Sequence, residues 1–293
     1  MKKTFLIFLI LCISNTFAQK DPNVYDFFGG KTFGNQATFY RLLFKINNGK
    51  ISGYAFTGDQ RSYETKSIIN GTFNPKTKRI IFSETKKLVT KSRKRFDELC
   101  FLNAVISMEI NPRISKIKGS FIEETLNGTK CSEGDINIIS LDVFHKLQET
   151  IKVEKRLLVE NKPKPEIKVT EVLPTFETDE KITIKDDEEI TIFWSSDKFI
   201  LDIWDDAKED DDQITIQFND EIILEDYILK NKKETLEFDL EKNLENKITF
   251  TATNTGFIAN NTARVDLFDA TIKHQIITEL KLNKSVTVFL VKQ

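Results

Sequence analysis

Tyr40-Arg41-Leu42-Leu43-Phe44-Lys45-Ile46-Asn47-Asn48-Gly49-Lys50-Ile51-Ser52-Gly53-Tyr54-Ala55-Phe56 decides how the first half of the chain folds. Two arms rich in aromatic and aliphatic residues flank Asn-Asn-Gly, which accepts the positive φ angles of a tight turn. The stretch predicts an antiparallel hairpin. Working outward, residues 65–73 and 79–84 flank Asn74-Pro75-Lys76-Thr77-Lys78, and residues 101–110 and 114–123 flank Asn111-Pro112-Arg113. The design thus repeats, with proline setting φ in each turn. Adding 135–139 gives an antiparallel meander of at least seven strands between residues 38 and 140. Gly53, Gly71, Gly119 and Gly134 fall early in their strands, where glycine marks a bulge or a close approach. A rolled sheet or small barrel is the expected closure.

Beyond residue 140 the period changes. Phe144, Leu147, Ile151 and Leu158 recur at helical spacing with Asp142 placed to cap, so residues 141–161 are expected to form a helix. Residues 162–181, with Pro163, Pro165 and Pro174, lose periodicity and read as a linker. Strands return over 182–293, up to ten of them, with clean alternation at 214–218 and 248–252. That density fits a β-sandwich. The expectation is an all-β protein: a β domain over 19–140, a connecting helix and Pro-containing linker, and a C-terminal sandwich over 182–293.

Composition narrows the class. Of 293 residues, 40% are hydrophobic and 30% charged, with 11 Gly and 6 Pro, which excludes disordered and collagen-like architectures. The net charge of −2 divides into +8 over 19–140, −1 over 141–181 and −11 over 182–293, with Lys2 and Lys3 making the balance. Met1-Lys2-Lys3, an apolar run at 5–13 and Thr16-Phe17-Ala18 predict a signal peptide over 1–18, cut after Ala18. Cys12 would suggest lipid anchoring, but Leu11 stands where a lipobox needs a small residue. No later apolar stretch reaches the roughly 20 residues of a membrane helix. The mature chain is expected in the periplasm or the medium, not spanning a membrane. There Cys100 and Cys131 are expected to form a disulfide, the alternative being two buried thiols.

The densest chemical feature is Trp204-Asp205-Asp206-Ala207-Lys208-Glu209-Asp210-Asp211-Asp212-Gln213. Crowded carboxylates repel one another, and a hard cation that takes six to eight oxygens relieves them. Ca²⁺ is therefore the candidate cofactor, with Asp205, Asp206, Asp210 and Asp212 as its ligands; the plainer alternative is a solvated loop. No EF-hand spacing is present. Asn254-Thr255-Gly256 and Asn260-Asn261-Thr262-Ala263 offer amides that could orient a sugar or complete a cation site, or simply form turns. Trp204 beside the acidic loop is the candidate stacking platform, with Asn254 and Asn260 as orienting groups; core packing is the alternative for Trp204 and Trp194.

These same residues carry a resemblance. Leu201 to Asp206, Glu209 to Ile216, Asn219-Asp220, Tyr227, Asn254-Thr255-Gly256 and Asn260 to Ala263 resemble an all-β domain near the C-terminus of uncharacterised secreted proteins of Bacteroidota such as flavobacteria. In that pattern the acidic loop more often reads Asp-Gly-Asp and the next turn Asn-Gly, whereas here Asp211 and Asp220 replace both glycines. The resemblance implies export and a β fold but no established activity.

Lys86, Lys87, Lys91, Arg93, Lys94 and Arg95 form a basic segment before Cys100. Export argues against nucleic acid as its partner; phosphate-bearing envelope glycolipid, the acidic second half, or water would satisfy the same charges. Enzymatic constellations are scarce. His145 and His274 are far apart in sequence, and neither a nucleophile elbow, a phosphate loop nor a zinc motif occurs. The chain is expected to be a non-catalytic binding protein, with Ca²⁺-assisted recognition of a glycan or cell-envelope component at the acidic loop. An envelope adaptor acting through the basic first domain is the alternative. A carboxylate-based glycan hydrolase is the third reading.

Overall fold

The computed structural model describes residues 24–58, 63–92, 94–110, 115–143, 181–205, 209–240, 246–257, 260–270 and 272–292. The expected signal peptide and most of the expected helix and linker lie outside the described residues. Of that helix, residues 141–143 form a first turn.

The protein is all-β, and its N-terminal half is an eight-stranded antiparallel barrel. Its strands are β1 (Val24–Phe33), β2 (Gln36–Asn47), β3 (Lys50–Gly58), β4 (Tyr63–Asn74), β5 (Arg79–Thr90), β6 (Phe101–Ile110), β7 (Ser115–Glu124) and β8 (Lys130–Ser140). Each pairs with its neighbour in sequence, and β8 returns to β1 through Phe28↔Ile139 and the pairs beside it. Closure removes the exposed sheet edges. The Asn48-Gly49 turn takes φ of 51° and 75°, the two left-handed residues that a two-residue hairpin requires. Asn74 Oδ1 accepts the Lys76 and Thr77 backbone N–H groups, which sets the second turn. A Cβ at Gly53 or at Gly71 would lie 2.2 Å from the carbonyl oxygen of Leu43 or Ile81, so only glycine lets adjacent strands pack this closely.

Alternation sends Phe27, Leu42, Phe44, Ile69, Phe82, Ile106 and Ile117 into the barrel core. Toward the end where β5 finishes, the interior turns polar. Glu84 accepts from Lys87 Nζ at 2.6 Å and from the Tyr40 hydroxyl at 3.3 Å, and Lys31 pairs with Glu123. Burial, reinforced by the Glu84 charge, pushes the Tyr40 phenol well above its ordinary range. Cys100 and Cys131 are bonded, tying the start of β6 to the start of β8 across β7. In the loop-entropy account a closure of this length restricts the unfolded chain by about 3 to 4 kcal/mol.

β1 is the strand that sequence patterning missed. Its Gly29-Gly30 interrupts the alternation, yet a Cβ at Gly29 would lie 2.6 Å from the Asn137 carbonyl oxygen, so that glycine sits against β8.

The second half contains the ten expected strands: β9 (Ile182–Lys185), β10 (Glu189–Trp194), β11 (Lys198–Trp204), β12 (Asp212–Phe218), β13 (Glu221–Ile228), β14 (Glu234–Asp239), β15 (Asn246–Thr255), β16 (Asn261–Asp269), β17 (Ile272–Leu280) and β18 (Ser285–Lys292). Five form one sheet in the order β14-β11-β16-β17-β9, and five run β13-β12-β15-β18-β10. Both sheets contribute to one apolar core, with Leu201, Val265 and Ile276 from the first and Ile192, Ile214, Phe250 and Val288 from the second. Trp194 lies fully inside it, its indole N–H held by Ser196 Oγ and the Lys198 carbonyl.

The halves are joined by more than a linker. β10 pairs with the end of β5 through Thr191↔Thr90 and Ile192↔Val89, so the barrel wall continues into the second sheet. Leu88 and Val89 of β5 belong to the core of the second half. Half of the basic segment is spent at this junction and inside the barrel: Lys86 reaches Ser195 Oγ at 2.6 Å, Lys91 reaches Glu188 at 3.0 Å, and Lys87 turns inward to Glu84. Of the partners considered for these lysines, the acidic second half takes Lys86 and Lys91. Phe96 closes the seam against Phe193, with ring centroids 5.0 Å apart.

Candidate functional site

Four strand ends meet at one corner of the second half: the ends of β11 and β15 and the beginnings of β12 and β16. Asp212 opens β12 opposite Thr255, and its Oδ2 accepts the Thr262 N–H at 2.9 Å, hooking β12 to β16. The chain leaving β13 stitches the corner from the other side, as Leu229 N–H donates to the Asp212 carbonyl and Asp205 N–H to the Lys230 carbonyl. Asn261 opens β16. Its amide nitrogen donates to the carbonyls of Gln213 and Asn254, each at 2.8 Å. Gly256 has φ of 55°, and a Cβ there would fall 2.1 Å from the Asp210 carbonyl oxygen and 2.8 Å from its carboxyl carbon. Asp210 therefore lies directly against the β15–β16 turn.

Asp212 is only 2% exposed and Asn261 is 0% exposed. Strand alternation explains both: Asp212 shares an inward face with Ile214 and Ile216, and Asn261 shares one with Ala263 and Val265. In each residue one side-chain oxygen, Oδ1, is buried without a hydrogen-bond partner. Burial pushes the Asp212 carboxyl up to about 6, and the nearby charges of Asp210 and Asp205 add to that, while the Thr262 N–H pulls the other way.

Of the expected metal ligands, the structure brings Asp205 and Asp210 within electrostatic reach of Asp212; Asp206 lies outside the described residues. Among the described residues no three carboxylate, imidazole or thiol groups stand close enough to ring a metal by themselves. A cation at this corner would have to draw on amide and backbone oxygens as well, a mixture that Ca²⁺ tolerates.

Trp204, the expected stacking platform, is covered by the protein itself. Trp204 is 9% exposed, with Lys233 Nζ 4.3 Å and the Arg264 guanidinium carbon 5.0 Å from the ring centroid. Its π surface is engaged from within the protein, because β16 sets Arg264 directly opposite it. Asn254 is also occupied: its side-chain oxygen accepts the Gly256 N–H and its carbonyl accepts from Asn261, which makes it a turn former. Asn260 is exposed at the rim.

Two residues at this corner were not singled out from the sequence. Asn261, rather than Asn260, takes the buried position, and its place two residues before Ala263 on a strand was the available signal. Phe257 is 89% exposed beside Gly256; a large apolar residue inside a turn was the cue.

His274 lies elsewhere, against Trp194 at 5.6 Å between ring centroids. Burial, with the charges of Lys66 and Lys86 adding to it, lowers its imidazole to about 4. His145 lies outside the described residues. No helix among them is long and apolar enough to cross a membrane. No protein-family model, curated protein or solved structure matches this chain.

Proposed function

We propose that the chain is an exported, non-catalytic binding protein whose second half is a sandwich module presenting the Asp210–Phe257–Asn260 corner to a glycan or another polyhydroxylated component of the cell envelope. The observation that carries this reading is Phe257, an aromatic ring left 89% exposed on a turn whose neighbours are amides and carboxylates. A flat apolar face packs against the C–H side of a sugar ring, while amide and carboxylate groups at its edge take the hydroxyls. Phe257, not Trp204, is the stacking residue in this proposal, with the exposed Asn260 three residues further along the chain.

The charge pattern agrees with recognition at this end. Lys86, Lys87 and Lys91 are engaged within the protein, which removes half of the basic segment on which an adaptor role for the first domain would draw. The test is a glycan array read with the full chain and with Phe257→Ala. The variant is expected to lose at least tenfold in apparent affinity with an unchanged melting temperature. Wild-type protein that captures no glycan or envelope fraction, or a variant that binds as well as wild type, overturns the reading.

A further inference from the structure

The corner contains two oxygen atoms that the protein folds inward and leaves without a donor, Asp212 Oδ1 and Asn261 Oδ1. An unpaired buried acceptor costs about 1 to 3 kcal/mol, and more when it is charged. The Asn261 amide cannot be turned to cure this. Its nitrogen already donates to two carbonyls at 2.8 Å, so the oxygen is fixed on the opposite side with both lone pairs free. Asp212 is fixed as firmly, because its Oδ2 takes the backbone N–H of Thr262, the residue after Asn261. The two orphaned oxygens therefore come from a pair of strand beginnings locked to each other by two hydrogen bonds, with a third tying Asn261 to the end of β15. Asp210 is packed beside them on Gly256, and Asp205 adds its charge from the end of β11.

We propose that Asp212 Oδ1 and Asn261 Oδ1 are protein ligands of a calcium ion, with Asp210 on the loop side and Asp205 supplying further negative charge. This goes beyond the glycan reading, since it is argued from the protein's own unpaired oxygens and stands without any guest. The donors are oxygens only, which selects a hard cation over zinc, copper or iron. They combine carboxylate and amide in a rigid frame, with room in the coordination number for backbone oxygens and water. Ca²⁺ accepts such irregular sets of six to eight ligands, whereas Mg²⁺ demands a near-ideal octahedron and keeps most of its water. The ion would clasp β12, β16 and the acidic loop together, so its binding is coupled to the stability of the corner.

The test uses the full chain stripped with chelator and titrated with Ca²⁺, Mg²⁺ and Tb³⁺. Trp204 directly precedes Asp205, so tryptophan excitation is the natural way to read Tb³⁺ luminescence at this corner. Expected are one Ca²⁺ per chain by calorimetry, Mg²⁺ at least tenfold weaker, and Tb³⁺ emission under tryptophan excitation that Ca²⁺ displaces. Ca²⁺ a hundredfold above its dissociation constant should raise the melting temperature by roughly 5 °C. Asp212→Asn should melt no lower than wild type in chelator, because a buried charge is gone, and should lose the calcium increment. Asp211→Asn, at an exposed position, should keep that increment.

Absence of saturable Ca²⁺ or Tb³⁺ binding to the wild-type chain overturns the proposal and assigns the orphaned oxygens to water or a proton. Loss of the increment in Asp211→Asn but not in Asp212→Asn does the same, by moving the ion to the surface acids. If Asp212→Asn fails to fold, the wild-type Ca²⁺ and Tb³⁺ titrations decide alone. Calcium binding without any glycan hit leaves this site standing and removes the glycan reading. Glycan capture that ignores chelator, with no bound calcium, gives the reverse.

Discussion

Inside the barrel, Glu84 is met by the Lys87 ammonium at 2.6 Å and the Tyr40 hydroxyl at 3.3 Å, and Glu123 is met by Lys31 and the Ser132 hydroxyl. In the corner of the second half, Asp212 is as deeply buried, but one of its oxygens meets no donor and its nearest charges include Asp210 and Asp205. The same residue class thus has two fates. The barrel supplies its own counter-charges, Lys87 from the same strand as Glu84 and Lys31 of β1 for Glu123 of β7, so its carboxylates are part of the packing. The corner supplies repulsion instead, and one oxygen of its buried carboxylate is left without a donor. A buried acid is informative about binding only after its partners have been counted.

The most damaging way to break this contrast is to give the barrel the corner's condition. Lys87→Met keeps the length of the side chain but leaves Glu84 without its cation. It should cost about 3 to 5 kcal/mol in urea unfolding, as expected when one member of a buried pair is removed. A loss below about 1 kcal/mol would mean that Tyr40 and the Leu102 N–H suffice for Glu84, and the contrast would weaken.

A smaller effect is expected at the junction between the halves. His274 is held at about 4, below its ordinary value, by burial and by Lys66 and Lys86 of the barrel. The unfolded chain therefore takes up this proton before the folded one. Its contribution is intact above about pH 6.5, declines as pH falls, and is fully lost below about pH 4, a change of about 3 kcal/mol. His274→Gln should flatten the stability profile over that window, measured by urea midpoints at several pH values; an unchanged slope would show that another group sets it.

The smallest effect is expected at the turn between β12 and β13. Asp211 and Asp220 both adopt left-handed backbone, the conformation that favours glycine, with φ of 67° and 71°. The chain path that glycine favours is thus kept without it. Asp220→Gly should raise stability by roughly 0.5 to 1 kcal/mol by relieving this conformation, less the greater freedom of the unfolded chain. Thermal melting would detect it. A decrease would mean that the Lys247–Asp220 ion pair at 2.8 Å outweighs the backbone.

The hairpins, the ten strands of the second half and the Cys100–Cys131 bond were legible because each rests on local signals: alternation, turn residues, and the even pair of cysteines that remains once residues 1–18 are set aside. β1 was hidden because its Gly29-Gly30 answers to Asn137, a residue over a hundred positions away. The same nonlocality governed the site. The run of acids was visible, but which of them lies inside depends on where β12 begins and on Thr262 reaching back to it. Trp204 stands beside the acids in sequence, while Lys233 and Arg264, which cover it, come from other strands and loops. The basic segment was equally conspicuous, and its engagement by Glu84, Ser195 and Glu188 followed only from the closed barrel and its junction.

The pairing of Thr90 and Val89 with Thr191 and Ile192 has a practical outcome for anyone cutting the gene into pieces. A fragment starting near residue 181 would lack Leu88 and Val89 from its own interior and would present one open border of β10 to whatever neighbouring strand it meets. Such a fragment is apt to self-associate, so recombinant work and protease trimming alike are best done on a single uncut polypeptide.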